Sequence, residues 1–95
     1  MARSIAHVPT RSGSRYLQQL CKHWGHKFPV SFDPKHGEIT LPMGPLIMDA
    51  TPDALGLVLE TEDAAALDRF ESVVAEHVQR FAFRETLAFD WRREA

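Results

Sequence analysis

The 95-residue chain has a single cysteine, no apolar run of the roughly 20 residues that a membrane helix needs, and no glycine-rich phosphate loop. The lone Cys21 excludes an intrachain disulfide and a zinc finger built on paired cysteines. The first residues lack the apolar core of a signal peptide. We therefore expect one soluble domain, spanning residues 1–95, in the reducing cytoplasm.

Patterns that usually accompany catalysis are also missing. The chain contains no nucleophile elbow and no H-E-x-x-H metalloprotease pattern. No residue is assigned a catalytic role, and an independent enzyme is the least supported class of function for this chain. No cofactor is expected, apart from the divalent metal considered below.

Charge is distributed unevenly along the chain. Residues 1–36 carry six lysines and arginines against one aspartate, whereas residues 37–79 carry nine carboxylates against one arginine. The basic third could attract an anionic ligand or pack against the acidic half. An isoelectric point of about 6.2 argues against a nucleic-acid-binding protein.

Hydrophobic periodicity predicts the order strand, helix, four strands, helix, strand. A first helix begins near Thr10 or Ser12 and ends at Gly25. The second helix has Asp63 as its expected N-cap and an apolar stripe that ends at Phe81. These elements predict an α+β domain in which two helices cover one face of an antiparallel sheet.

The strand boundaries follow from alternation and turn residues. The third strand is expected to run through Met43, with a turn at Gly44-Pro45 before the fourth. The alternation of Leu87, Phe89 and Trp91 predicts a closing strand.

One thiol and two imidazoles lie within six residues, at Cys21, His23 and His26. These are ligand types that bind zinc, copper or iron. On a helix Cys21 and His23 project about 160° apart, so they cannot hold one ion together. His23 and His26 could form a metal site with a third ligand from elsewhere, and Cys21 is otherwise an ordinary core residue.

The first helix also carries a polar, cationic face opposite its apolar stripe. Its members are Arg15, Gln19, Lys22, His23 and His26. This face predicts either an anion-binding site, strengthened as the histidines protonate, or an ordinary solvated surface. His77, at the edge of the second helix's stripe, is expected to be a boundary residue.

The run from Phe81 to Glu85 offers one further candidate. We expect Phe81 and Phe83 to close the core, while Arg84 and Glu85 find partner charges. Arg84 is the member that could instead reach an anionic ligand.

Several strings resemble a small bacterial family of uncharacterised domains that occur alone or appended to siderophore-interacting flavoprotein reductases. The strings are Arg15-Tyr16-Leu17, residues 20–27, Gly37-Glu38-Ile39, residues 80–85 and Trp91. The resemblance implies a bacterial cytoplasmic domain associated with ferric-siderophore handling, with a fold similar to half of the TATA-binding protein. It implies no catalytic residues, and the chain has no flavin or nicotinamide module.

Three hypotheses follow. The first is an accessory module that binds an anionic small molecule or a siderophore-interacting reductase through Arg15, Lys22, His23, His26 and Arg84. The second is a transition-metal-binding domain that uses His23 and His26. The third is a structural domain that pairs an exposed sheet face or edge strand with a second copy, as a homodimer.

Overall fold

A six-stranded antiparallel sheet and two helices make up the domain, seen in a computed structural model that describes residues 2–94. The elements are β1 (Ala2–Pro9), α1 (Gly13–Trp24), β2 (Val30–Phe32), β3 (His36–Leu41), β4 (Gly44–Ala50), β5 (Ala54–Thr61), α2 (Leu67–Phe81) and β6 (Arg92–Glu94). The spatial order of the strands is β2-β3-β4-β5-β1-β6. The predicted fold class and order of elements are confirmed.

The core lies between the sheet and the two helices. Leu55, Leu57 and Leu59 of β5 are fully buried, and Leu17 of α1 and Phe70 of α2 pack into the same cluster. Burying each such side chain stabilises the fold by about 1.5–3 kcal/mol. Strand residues that alternate with the buried ones face away from the helices, so the opposite face of the sheet remains uncovered by them.

Two strand boundaries differ from the predicted ones. Strand β3 ends at Leu41, and the turn lies at Pro42-Met43, so that Gly44 already begins β4. The backbone explains this shift, because Gly44 has φ +142 and a Cβ there would lie 1.9 Å from the Glu60 carbonyl oxygen. Only glycine, which has no Cβ, can lie this close to the Glu60 carbonyl of β5.

The start of α2 also differs from the prediction, whereas its end at Phe81 agrees. Asp63 caps a short 3₁₀ turn, Ala64–Ala66, by accepting from the Ala65 N–H, and α2 itself begins at Leu67. Residues 87–91, the predicted closing strand, form no strand in the structure, and β6 is confined to Arg92–Glu94, which pairs with the edge of β1 that β5 does not occupy. None of the helices among residues 2–94 is long and apolar enough to cross a membrane.

Candidate anion-binding site

The start of α1 meets the loop that follows α2 at one corner of the domain. Glu85 fastens the two segments, because its Oε2 accepts from the Tyr16 hydroxyl and, at 3.0 Å, from the Thr10 hydroxyl. Burial is the main cause of a raised pKa for Tyr16, and the hydrogen bond to Glu85 raises it further. Glu85 therefore has hydroxyl partners here rather than the partner charge that was expected.

The Gln79 side chain also holds the loop that follows α2 in place. The Gln79 side-chain amide donates to the carbonyl oxygens of Ala82 (3.0 Å) and Glu85 (2.8 Å), and its oxygen accepts from the Leu87 N–H at 2.9 Å. One side chain at the end of α2 thus fixes three backbone groups. The loop that carries Arg84 is consequently held against the rest of the domain.

Arg15 and Arg84 line one small concavity at this corner. It encloses about 230 Å³, and Tyr16, Phe81 and Phe83 contribute its apolar and aromatic walls. Phe83 is 75% exposed, contrary to its predicted place in the core, and the guanidinium carbon of Arg84 lies 5.5 Å from the Phe83 ring centroid. Helix α2 ends at Phe81, and the turn that follows directs Phe83 outwards.

A second, more open concavity of about 570 Å³ adjoins the first along α1. Arg15 belongs to both, and Arg11 and Lys22 supply two further cations. The side-chain oxygen of Gln19, which also lines it, is buried without a hydrogen-bond partner among residues 2–94. Together, the lining residues Arg11, Arg15, Lys22 and Arg84 define what we call the cationic corner.

Glu85 also lines the smaller concavity, but none of the four cations forms an ion pair with it or with any other carboxylate among residues 2–94. Every ion pair found among residues 2–94 uses other side chains, and Asp68 and Glu71 of α2 pair with Arg93. None of the six lysines and arginines of residues 2–36 forms an ion pair with a carboxylate of residues 37–79, whereas His36 pairs with Glu38 and Asp49. Four cations gathered on two adjoining concavities create a positive potential that favours an anionic ligand.

His23 and His26 do not belong to this corner. The His23 ring lies against α2, with its centroid 5.7 Å from that of His77 and 5.9 Å from that of Phe81. Desolvation, and then the positive charges of nearby groups led by His77, lower the pKa of His23. His26 lies exposed in the turn after α1 and is absent from these ring contacts.

The Cys21 side chain points away from that of His23, as its angle on the helix predicts, and is fully buried in the core between α1 and the sheet. Burial raises the pKa of its thiol to about 11, so it carries no reactive thiolate at neutral pH. Across residues 2–94 no group of three or more histidine, cysteine or acidic side chains could hold a metal ion together. The predicted third ligand for a site on His23 and His26 is thus not provided by these residue types.

Three features of the site do not follow from the sequence patterns. Arg11 contributes only to the charge count, Phe83 is predicted in the core, and the hydrogen bond between Tyr16 and Glu85 joins residues remote in sequence. Periodicity assigns residues to faces of one element, but it contains no information on which loop meets which helix end. The two charges at residues 84–85 are the sequence signal that points to this loop.

These features define a small α+β domain with one helix-covered antiparallel sheet and a cationic corner between the start of α1 and the loop after α2. Residues 5–92 match the family described as an uncharacterized protein conserved in bacteria (DUF2218), and the chain belongs to that family. No curated protein matches the chain. The NMR structure of PA4090 from Pseudomonas aeruginosa is similar, with a TM-score of 0.81, 41% identity, and coverage of 97% of this chain and 96% of that one.

Proposed function

We propose that this domain binds a small anionic ligand at the cationic corner. The observation that carries the proposal is that Arg15 and Arg84, from opposite ends of the chain, line one concavity while neither forms an ion pair within residues 2–94. Guanidinium groups bind carboxylates and phosphates through paired, charge-assisted hydrogen bonds. Arg11 and Lys22 extend the positive surface along α1.

The family resemblance suggests the first ligands to examine. It implies an association with ferric-siderophore handling in the bacterial cytoplasm, and a ferric siderophore with net negative charge has the chemistry that the corner would attract. The apolar walls of Phe81 and Phe83 would contact the organic part of such a ligand. Inorganic phosphate serves as the probe for anion binding without any organic part.

A second candidate is docking of a protein partner, such as a siderophore-interacting reductase. The exposed Phe83 ring with Arg84 above it favours this candidate, since exposed aromatic and arginine side chains dominate many interface energies. In that case the partner would present carboxylates to Arg15 and Arg84. The ligand and the partner would then use the same residues.

A two-dimensional amide NMR titration tests the proposal, with phosphate, a ferric siderophore and a reductase added in separate experiments. Saturable shifts confined to residues 11–22 and 81–85 support it. Arg15→Glu and Arg84→Glu should each weaken binding by about tenfold or more, since a hydrogen bond to a charged group contributes about 1.5–3 kcal/mol. Arg69→Glu, an equal charge change on the exposed side of α2, is the matched control.

The outcomes separate the two candidates. Shifts at the cationic corner with the reductase alone would assign the corner to a protein partner and reject the small ligand. Saturable shifts elsewhere, or unchanged affinity in both arginine variants, would overturn the proposal in either form. Raised salt should weaken either interaction, because the Debye length falls to about 3 Å at 1 M.

A further inference from the structure

A cluster of aromatic and imidazole rings joins α1 to α2 and adjoins the cationic corner at Phe81. The ring centroids of Trp24 and His77 lie 4.7 Å apart, and those of His23 and His77 lie 5.7 Å apart. His23 is exposed and His77 is half-buried, so the pair borders on solvent. Two imidazoles from different helices therefore meet where an ion could reach them.

The hydrogen bond of His77 determines which of its nitrogens is free. Its Nδ1 lies 2.7 Å from the Val73 carbonyl oxygen, and because that oxygen only accepts, Nδ1 carries the proton. In the neutral ring Nε2 then carries no proton, and its lone pair is free to bind a metal ion. A metal-binding histidine typically donates its other N–H to a backbone carbonyl or a carboxylate in this way.

Two cations, Arg80 and Lys27, lie near the His23 ring and oppose the binding of a metal ion there unless salt screens them.

The separation of the rings suits one shared ion. An imidazole nitrogen binds a transition-metal ion such as zinc at about 2.1 Å, and each nitrogen lies about 1.1 Å from the centroid of its own ring. One ion between two rings thus holds the centroids about 5–6.5 Å apart, depending on the angle at the metal. The observed 5.7 Å falls inside this interval.

We propose that His23 and His77 form a two-histidine site for a late first-row transition-metal ion, with its remaining coordination positions open to water or to an external ligand. This site replaces the predicted partner His26 by a residue from the other helix. It does not depend on the anion-binding proposal. Cu²⁺ is the probe of choice, because it binds nitrogen ligands most tightly among these ions.

Titration of the purified protein with Cu²⁺, followed by Trp24 fluorescence in a Trp91→Phe background, tests the proposal. Because the Trp24 ring is in contact with His77, Cu²⁺ at this site should quench its emission with one ion per chain. His23→Gln and His77→Gln should each weaken uptake by at least about tenfold, the lower end of what loss of metal-site support costs. Mg²⁺, which prefers oxygen ligands, should leave the emission unchanged.

Two control variants address the other histidines. His26→Gln removes an exposed imidazole from the adjacent turn, and His36→Gln removes one that lies between two carboxylates on the sheet. Both should bind Cu²⁺ as the wild type does. Loss of uptake in either control, or unchanged uptake in His77→Gln, would overturn the site.

A measurement on the unmutated protein guards against variants that fail to fold. Paramagnetic Cu²⁺ should broaden the ring signals of His23 and His77 first and leave those of His7 and His36 sharp. Broadening that begins at another histidine contradicts the proposal. Raised salt should tighten Cu²⁺ binding by screening Arg80 and Lys27, which is opposite to its effect on anion binding.

Discussion

Removal of the Glu71 carboxylate should be among the most damaging single polar changes in this fold. Glu71 is on α2, with only 12% of its side chain exposed, and it joins three elements. The Ser4 hydroxyl of β1 donates to its Oε2 at 2.6 Å, and Arg93 of β6 donates to both oxygens, at 3.1 and 2.9 Å. Asp68, one turn earlier, is a further acceptor for Arg93.

The magnitude follows from what each partner loses. Glu71→Ala leaves the fully buried Ser4 hydroxyl without its acceptor, which costs about 1–3 kcal/mol. The half-exposed Arg93 keeps Asp68, so its share is at most about 1 kcal/mol. We expect a loss of about 2–3 kcal/mol in the free energy of unfolding, or roughly 10 °C or more in Tm for a domain of this size.

Urea unfolding of the wild type, Glu71→Ala and Glu71→Gln measures this loss. Glu76→Ala, an exposed carboxylate on the same helix, is the matched control and should change stability by less than about 0.5 kcal/mol. In the double variant Ser4→Ala/Glu71→Ala the losses should be less than additive, because both single changes break the same bond. A Glu71→Ala loss no larger than that of the control would refute the reasoning.

The pH dependence gives an independent check on Glu71. Hydrogen bonds from Arg93, the main cause, and from Ser4 lower its pKa below the usual 4.5. A lowered folded-state pKa means that the contribution is fully present above the unfolded value and is lost as pH falls through the folded one. The difference between wild type and Glu71→Gln should therefore be constant near neutral pH and shrink only below 4.5.

Three further predictions concern other parts of the fold. Hydrogen bonds to two carboxylates raise the pKa of His36 to about 9. The protonated ring should therefore stabilise the fold by less than about 1 kcal/mol, fully below pH 6.5, and this contribution is lost as the pH rises through 9. An NMR titration with a His36 midpoint near 6.5 would contradict this. Gly44→Ala should destabilise the domain by more than about 2 kcal/mol in urea, whereas Gly56→Ala, whose Cβ meets its nearest atom at 3.5 Å, should be the milder change; equal losses would be evidence against strain at Gly44. The Cys21 thiol should react with a disulfide reagent only as fast as the protein unfolds, and rapid reaction of the native protein would show that it is not buried.

Local patterns predicted the order of the elements because each pattern is set by one element's own geometry. A period of 3.6 in α1 and α2 and of two in the strands follows directly from which side chains face the core. The stop at Gly25 and the apolar stripe from Leu67 to Val78 agree with the structure for that reason. The errors occur where a neighbouring element decides, as at Gly44, where the backbone of β5 lies too close for any side chain.

The candidate site was only half predictable. The face of the first helix predicts Arg15 and Lys22, the run from Phe81 to Glu85 predicts Arg84, and all three line the cationic corner. The structure separates His23 from these three residues, because the His23 ring contacts the rings of His77 and Phe81 on α2. Whether the corner binds a ligand remains a prediction for the titration described above.

The sequence by itself determined the α+β class, the two amphipathic helices, the burial of Cys21 and the uneven distribution of charge. These properties depend on residue type and on spacing within about 15 residues, and such information is local. Only the tertiary structure decided that Glu85 fastens the start of α1 to the loop after α2, and that His23 meets His77 rather than His26. Those contacts depend on how the two helices lie across the sheet, and their relative position follows from packing of the whole core rather than from any one segment.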